Sequence, residues 1–538
     1  MGSLAWAITY YHEDPRALDV IILSLGTMFL HRDYWSSDGV YTEGISYGYY
    51  SVAPMETITH LLKRALGVAP QFLIPSHIKK AGEWYRDTMA PDGWTLDFGD
   101  AHSQHGWKSH VPLSAVLVDE WAFDEPSEID PCLAKDYWAN KYYFHGFIDP
   151  WNMPPWMARD WQSIMAQCVE VPNESQRRIY PEGGYAILKR IQPGSSGLTD
   201  ELPANHKGHN ADMTYLAASF IPNGNIHMES DFGTLIWSAF GTRMIADIGY
   251  GSQSLRPYLL YYNQGGNHVA VDNNPVGHST LYVPEATIDL PNGFQSNTSQ
   301  IAGSVGTVVN GTWGDFDGIH MDGAYVYGKV AGNPVHTEAQ EHGWLEAFDR
   351  WLITIPGGHF LVIDSMLKRA DRPNITASET WQFSHYPPGS PTQACRYKDL
   401  HVEATTLENR RIVELRPRCS RLFKEMDSTA VGYIVGASRV PGAFSDPEVF
   451  ETYRNNGGMI THKRVRYVPN EPFEHDARVF ALIAAPDAQS MPQVSLDTVL
   501  CNELDNVCFE LVIGSDTYTI EMPWDGSRHS LGSVTTQP

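Results

Sequence analysis

Hydrophobic residues in the first part of the chain, up to about residue 165, recur at the three-to-four-residue spacing of helices. Three segments show this spacing: residues 18–30, 54–67 and 75–89. Asp14 and Pro15 precede the first segment, and an Asp-Pro pair is typical of a helix start. Tyr47 stands before the second segment, in a glycine-punctuated passage that is predicted to be a loop. The sequence therefore predicts a helical first domain with long loops.

The hydrophobic period changes to two after about residue 178, which is the spacing of β-strands. Three passages have the pattern of a strand, a tight turn and a second strand: residues 232–246, 351–364 and 509–522. We therefore expect an α+β multidomain chain. Its predicted parts are a helical domain at residues 1–170, a central antiparallel β-sandwich at 171–386 and a C-terminal β-sheet domain at 387–538.

The charge of the chain excludes some partners. Its 538 residues contain 38 Lys and Arg against 63 Asp and Glu, a formal net charge of −25 at pH 7. Neither nucleic acid nor an anionic membrane is an expected partner of such a surface.

No apolar run is long enough for a membrane span, and no secretion signal is visible at the start. The six cysteines lack metal-type spacing, although Cys501 and Cys508 could pair.

Ligand-type residues gather around the first predicted hairpin. Alternate residues of a strand face the same side, so His227, Glu229 and Asp231 could line one surface. The return strand ends at Asp247, close to the level of Glu229, and His268 follows further along the chain. Two carboxylates and an imidazole are an ordinary ligand set for zinc or a harder divalent ion. Glu229, Asp247 and His268 are therefore candidate metal ligands.

Two other interpretations compete with this site. The cluster His206-x-x-His209-x-x-Asp212 also has metal-like spacing, but no predicted strand brings a further ligand to it. Glu229, Asp247 and His268, each taken singly, are better explained as hydrogen-bonded structural residues at strand ends, and only together do they indicate a metal site.

The order of motifs along the chain resembles the heparinase II/III-type polysaccharide lyases, a group that includes alginate lyases of the same architecture and dermatan sulfate epimerases. The motifs are Asp-Gly-x-Tyr-x-Glu-Gly-x-x-Tyr at 38–47, His-x-Glu-x-Asp at 227–231, Asp-x-Gly-Tyr at 247–250 and Asn-His-Val-x-Val-Asp at 267–272. The resemblance implies an incomplete (α/α) toroid followed by antiparallel β-sandwich domains, with the active site in the cleft between them.

The resemblance also implies roles for single residues. Tyr47 matches the catalytic tyrosine of the family and His227 its catalytic histidine. Glu229, Asp247 and His268 fall at its metal-ligand positions, which implies a divalent metal, with zinc as the first expectation, in a supporting role. Many relatives have a histidine at the position of Glu229, so this chain departs from the family in its ligand set.

Two further expectations follow from the same comparison of positions. Arg256, Tyr261 and Tyr262 lie between two ligand positions and are candidate substrate contacts. Relatives carry an Asn-His pair upstream of the catalytic tyrosine, where it holds the substrate carboxylate. By position this pair would fall before Met1, so we expect the chain to lack the first part of the toroid.

The implied reaction is β-elimination on a uronic-acid polymer, in which a base removes the C5 proton and an acid protonates the departing O4. Tyr47 is the expected acid, and a second role as base is open. The unperturbed pKa of a tyrosine is about 10, so nearby positive charge must lower it before the phenol can serve as base. His227 would be the partner base or would polarise the substrate carboxylate.

The sequence leaves other functions open. A C5-uronate epimerase uses the same proton abstraction, and a non-catalytic relative would only bind an acidic glycan. A glycoside hydrolase would need a carboxylate pair among Glu43, Asp97 and Asp100. The expected partner is an anionic polysaccharide, a homo-oligomer is open, and the resemblance implies a periplasmic or secreted location.

Overall fold

A computed structural model describes the chain in segments separated by gaps. The described residues are 2–42, 44–69, 72, 74, 76–88, 90, 96, 98, 166, 176–191, 213–220, 232–247, 260–264, 267–270, 275–289, 294–297, 304–325, 344–386, 402–417, 429–454, 459–501 and 503–537.

Helices occupy the first described segments. They are α1 (Gly2–Tyr10), α2 (Arg16–Arg32), α3 (Ile45–Leu66) and α4 (Ala81–Asp87), the last preceded by a 3-10 turn at Ser76–Lys80. The helices predicted at 18–30, 54–67 and 75–89 are thus present. In the described part of the chain these four helices do not form a recognisable (α/α) toroid, so that part of the predicted fold is not seen.

The start of α3 corrects one prediction. The passage that carries Tyr47 was expected to be a loop, yet the helix begins at Ile45 and includes it. Ile45, Ser51 and Met55 lie on one buried face of this helix. Tertiary burial of that face outweighs the weak helix propensity of the Gly- and Tyr-rich sequence. Tyr47 therefore sits in the first turn of a helix.

In the described segments, twenty-six strands form four sheets. The first sheet has the order β1-β2-β3-β4-β5 and all of its neighbours are antiparallel. Its strands are β1 (Gln176–Tyr180), β2 (Tyr185–Ile191), β3 (Met213–Ser219), β4 (Leu235–Ala239) and β5 (Thr242–Ile245).

A nine-stranded sheet follows the order β8-β15-β21-β20-β6-β7-β10-β9, with β19 also paired to β21. The β7–β10 pair is parallel. The strands are β6 (Leu260–Gln264), β7 (Asn267–Ala270), β8 (Leu281–Tyr282), β9 (Thr287–Asp289), β10 (Phe294–Asn297), β15 (Ser378–Tyr386), β19 (Gly442–Phe444), β20 (Glu448–Arg454) and β21 (Met459–Pro469).

The remaining strands form an eight-stranded sheet, β11-β12-β13-β14-β22-β18-β17-β16, and a four-stranded sheet, β23-β24-β25-β26. Their bounds are β11 (Ser304–Trp313), β12 (Phe316–Tyr325), β13 (Leu345–Ile355), β14 (His359–Lys368), β16 (Val402–Leu407), β17 (Ile412–Pro417), β18 (Val431–Ser438), β22 (His475–Ala485), β23 (Val494–Val499), β24 (Val507–Ile513), β25 (Asp516–Met522) and β26 (Ser533–Gln537).

The predicted hairpins are confirmed. The passage at 232–246 forms β4 and β5, the passage at 351–364 lies in β13 and β14, and the passage at 509–522 lies in β24 and β25. A disulfide joins Cys501 to Cys508, whose Cα atoms are 5.4 Å apart. Strand pairing also crosses residue 387, since β14 pairs with β22 and β15 with β21. A domain boundary at 387 would therefore divide two sheets.

The five-stranded sheet packs on both faces. Ile187 and Ala217 belong to the helix–sheet core, which is the cluster formed with α1 to α4. Leu188 and Leu216 point the other way, into a central core shared with the eight- and nine-stranded sheets. The sheet is thus the layer between the helices and the rest of the protein.

The eight-stranded sheet repeats this alternation. Phe360 and Val362 of β14 face the central core, while Leu361 and Ile363 face a third core completed by the four-stranded sheet. Within the described segments, no helix is long and apolar enough to cross a membrane.

Candidate functional site

Tyr47 lies at the junction between the helices and the five-stranded sheet. It is partly buried and packs against the helix–sheet core. Aromatic rings build this part of the core, with Trp35 5.1 Å from Tyr41 and Trp84 5.7 Å from Tyr185 between ring centroids. Ile45 in the first turn of α3 is buried in the same core, which also contains Tyr185 and Tyr215 of the five-stranded sheet.

The segment before α3 is also tied to the sheet. One oxygen of Asp38, Oδ2, accepts hydrogen bonds from the backbone N–H groups of Glu182 (2.9 Å) and Gly183 (3.1 Å) in the β1–β2 turn. Gly39 has a φ of 85°, and an added Cβ would lie 2.7 Å from the backbone carbon of Lys80. The Asp-Gly pair at the start of the quoted motif therefore fixes the chain that leads to Tyr47.

A buried carboxylate, Asp87, fastens the end of α4 to the same sheet. Its side chain is 1% exposed. Oδ2 accepts a hydrogen bond from the Tyr180 hydroxyl at 2.9 Å, and Oδ1 lies 3.4 Å from the Lys189 ammonium. Arg178 adds a second cation, 3.4 Å from Oδ2. The Tyr215 hydroxyl donates to the backbone carbonyl of Asp87 at 3.0 Å. Asp87 is therefore bound to the sheet through both its side chain and its backbone, and it anchors the junction.

A second buried carboxylate, Asp247, follows directly after β5. Its Oδ2 atom lies 2.8 Å from Nδ1 of His278, and both side chains are 0% exposed. The Thr234 hydroxyl donates to the same oxygen at 3.0 Å. Thr234 is in turn fixed because its oxygen accepts the backbone N–H of Ser279 at 3.2 Å. Asp247 is thus held by an imidazole and a hydroxyl.

Ser279 joins this pair to the nine-stranded sheet. Its hydroxyl oxygen accepts the backbone N–H of Gln382 in β15 at 2.9 Å. The carbonyl of Gln382 accepts the N–H of Ala246, also at 2.9 Å. Two sheets therefore meet at Asp247, and a shift of either would move its carboxylate.

A fully buried ion network supports the turn before β4. Arg350 donates from Nη1 to the carbonyl of Gly233, the neighbour of Thr234. Its Nε and Nη2 atoms form a fork to the two oxygens of Asp364, each at 2.7 Å, and Nη2 also contacts Glu379. Burial raises the pKa of Glu379 to about 7, although the Arg350 charge opposes this shift. The network therefore holds one carboxyl that titrates near neutral pH.

The structure describes only part of the predicted site. Asp247 is fully buried, and its role as a metal ligand stays a prediction. His227, Glu229 and Arg256 lie outside the described residues. The strands carrying the other three candidates are described: Tyr261 and Tyr262 are in β6, which pairs with β7 so that Asn263 faces His268 in the register. Their side chains lie outside the described part.

The donor set for a metal is likewise incomplete. Asp247 and His278 supply one oxygen and one nitrogen donor group, whereas zinc sites use at least three protein ligands. Among the described residues, no group of three or more His, Cys, Asp or Glu side chains could hold a metal ion.

Sequence reasoning missed His278. It lies in the passage Gly277-His278-Ser279-Thr280, which has neither the helical nor the strand period and carries a single ligand-type residue. Its partner Asp247 is 31 residues away in the chain. Only the pairing of the two sheets brings the residues together, so spacing gives no signal.

No family model and no curated protein matches the chain. Solved structures do. A heparinase III crystal structure has a TM-score of 0.58 at 13% identity, covering 97% of this chain and 66% of its own. Heparan sulfate lyase HepC from Pedobacter heparinus has a TM-score of 0.56 at 14% identity, covering 98% of this chain and 64% of its own.

Another heparinase III gene product has a TM-score of 0.57 at 10% identity over 97% of this chain and 64% of its own. The chain thus spans about two-thirds of the length of these proteins. At such low identity the likeness concerns the fold alone. This chain shares the multidomain fold of the heparinase III structures.

Proposed function

We propose that the chain is a polysaccharide lyase that cleaves a uronic-acid-containing polysaccharide by β-elimination. The observation that carries the proposal is the likeness to heparinase III over 97% of the chain. One of these solved structures is a heparan sulfate lyase, so heparan sulfate is the first substrate to test. The active site would lie where the helices meet the five-stranded sheet.

Tyr47 supports this placement. It is partly buried and packs against the helix–sheet core, and a phenol held in place can deliver a proton to a departing O4. The C5 proton sits beside a carboxylate that resists further negative charge, so neutralising this carboxylate is the main electrostatic task. His227 would polarise the carboxylate or act as the partner base.

Asp247 and His278 would have a supporting, structural role in the proposed site. Their buried pair fixes the end of β5 against the nine-stranded sheet. We propose that Glu229, Asp247 and His268 bind a divalent metal, zinc first, which would order the segment that carries His227. Metal analysis of the purified protein, before and after treatment with a chelator, tests this: about one zinc per chain is expected, and a metal-free protein with full activity would exclude it.

Substrate contacts are proposed for Arg256, Tyr261 and Tyr262. An arginine would pair with a uronate or sulfate group, and tyrosine rings would stack on sugar faces. The β6–β7 pairing brings the strand of both tyrosines beside that of His268.

The test of the proposed function is ultraviolet absorbance from unsaturated uronate during incubation with a panel of polymers: heparan sulfate, chondroitin sulfate, dermatan sulfate and alginate. The expected result is a rise with one polymer that falls at least about 100-fold in Tyr47→Phe. Tyr34→Phe is the matched control, because Tyr34 is also partly buried against the helix–sheet core. Its rate should stay within about twofold of wild type.

Silence across the panel would contradict lyase activity. Proton NMR in deuterated water then separates the alternatives, since a C5-uronate epimerase incorporates deuterium at C5 without absorbance and a non-catalytic binder does not. Equal losses in Tyr47→Phe and Tyr34→Phe would remove Tyr47 from the chemistry.

A further inference from the structure

A cavity of about 310 Å³ lies away from the helices, where the eight-stranded sheet meets the four-stranded sheet. The end of β18, the turn into β19 and the strand β23 form its walls. The Thr498 hydroxyl of β23 donates to the carbonyl of Ser438 at 3.1 Å and so fixes the walls to each other. The volume is at the lower end of the range for small-ligand sites.

The rim of the cavity is cationic. Arg411 and Arg439 contribute two guanidinium groups and Asp497 one carboxylate, a local excess of positive charge on a chain of net charge −25. Arg411 pairs with Asp497, but their side chains are 59% and 49% exposed. A surface ion pair of this kind contributes little to stability, so an anionic ligand can replace Asp497 as the partner of Arg411.

The side chain of Arg439 is held by one hydrogen bond, and its other N–H groups can donate to a ligand. Nη1 donates to the backbone carbonyl of His475 at 3.2 Å. A guanidinium has five N–H donors in a planar fork, which suits a carboxylate or a sulfate. The same residue is exposed, so a ligand can reach it from solvent.

The floor of the cavity carries hydroxyl groups. The Ser438 and Tyr467 oxygens lie 2.9 Å apart, and both residues are buried. Ser438 donates its single proton to the carbonyl of Val440, so the Tyr467 hydroxyl donates to Ser438. Tyr467 lines the cavity and its oxygen, whose proton is donated to Ser438, can act as an acceptor, while Asp497 is a second acceptor at the rim. Both suit the hydroxyl groups of a sugar.

We propose that this cavity is a second, non-catalytic binding site for an acidic sugar, meaning a pyranose ring with one carboxylate or sulfate. The two arginines take the anion, while Tyr467 and Asp497 accept hydrogen bonds from ring hydroxyls. The choice of ligand rests on the proposed function, but binding here needs no catalysis. A second site of this kind holds an anionic glycan on the protein between cleavage events.

Isothermal titration calorimetry with a heparan sulfate hexasaccharide tests the proposal, using Tyr47→Phe protein so that the ligand is not consumed. We expect two sites per chain. Adding Arg439→Ala should weaken one of them about tenfold or more and leave the other unchanged. Arg410→Ala is the matched control: Arg410 adjoins Arg411, is 52% exposed and pairs with Asp446 rather than lining the cavity.

The outcomes separate this proposal from the proposed function. Unchanged binding in Arg439→Ala and in Arg411→Ala would overturn the second site, whatever the lyase assay shows. Equal competition by inorganic sulfate and by the hexasaccharide would overturn the sugar assignment and leave an anion site only. A protein without lyase activity that still loses binding in Arg439→Ala, and not in Arg410→Ala, would support the site on its own.

Discussion

Two buried carboxylates, Asp87 and Asp247, both adjoin the five-stranded sheet, yet they are held in different ways. Asp87 lies between the cations Lys189 and Arg178 and a tyrosine hydroxyl. Asp247 lies between the imidazole of His278 and a threonine hydroxyl. The two cations neutralise the charge of Asp87 permanently, which makes this residue a structural anchor. An imidazole orients a carboxylate by a hydrogen bond, which is the arrangement that the proposed metal-ligand role of Asp247 needs.

The largest expected effect concerns the anchor. Asp87→Ala leaves Lys189 without its buried counter-ion, so the free energy of unfolding should fall by about 3 kcal/mol in thermal or denaturant unfolding. Asp446→Ala removes a carboxylate from an exposed pair and should cost about 0.5 kcal/mol or less. Equal losses in the two variants would show that Asp87 is not an anchor.

The next effect concerns the imidazole beside Asp247. His278→Gln should lower the initial lyase rate about 10- to 100-fold, because the carboxylate loses its orienting partner. His320→Gln is the matched control, since His320 forms another His–Asp pair, 3.2 Å from Asp349, on the eight-stranded sheet. That control should keep its rate per folded molecule. A rate loss of similar size in both variants would make the His278 effect a matter of stability alone.

A smaller effect, on the pH dependence of stability, is expected for a third buried carboxyl group, Glu379. The pKa of Glu379 is raised to about 7 by burial, so the folded state binds this proton more tightly than the unfolded chain. Its contribution to stability is complete below about pH 4.5 and is lost as the pH rises through about 7. Glu379→Gln should remove this decline, so that the difference in unfolding free energy between variant and wild type changes as the pH rises from 4.5 to 8.

Denaturant unfolding at several pH values measures this change. Glu346→Gln is the control, because Glu346 is an exposed carboxylate on β13 of the same sheet as Arg350 and Asp364. A constant difference for Glu379→Gln would mean that this carboxyl does not titrate in that range.

The sequence predicted the local parts of this comparison well. The β4–β5 hairpin and the position of Asp247 at its end follow from the period of two and the Phe240-Gly241 turn, which are properties of neighbouring residues. The prediction of a loop around Tyr47 was wrong, because burial of Ile45 in the helix–sheet core decides the structure there, and local propensity does not. His278 was missed for the same kind of reason, since only sheet packing brings it to Asp247.

The most direct test of the account is the initial rate of unsaturated uronate formation in Asp87→Asn and Asp247→Asn, measured with thermal unfolding on the polymer that wild type cleaves fastest. We predict that Asp247→Asn folds and loses at least about tenfold in rate. Asp87→Asn should unfold at lower temperature but keep its rate per folded molecule within about twofold. A folded Asp247→Asn protein with the wild-type rate would contradict the account.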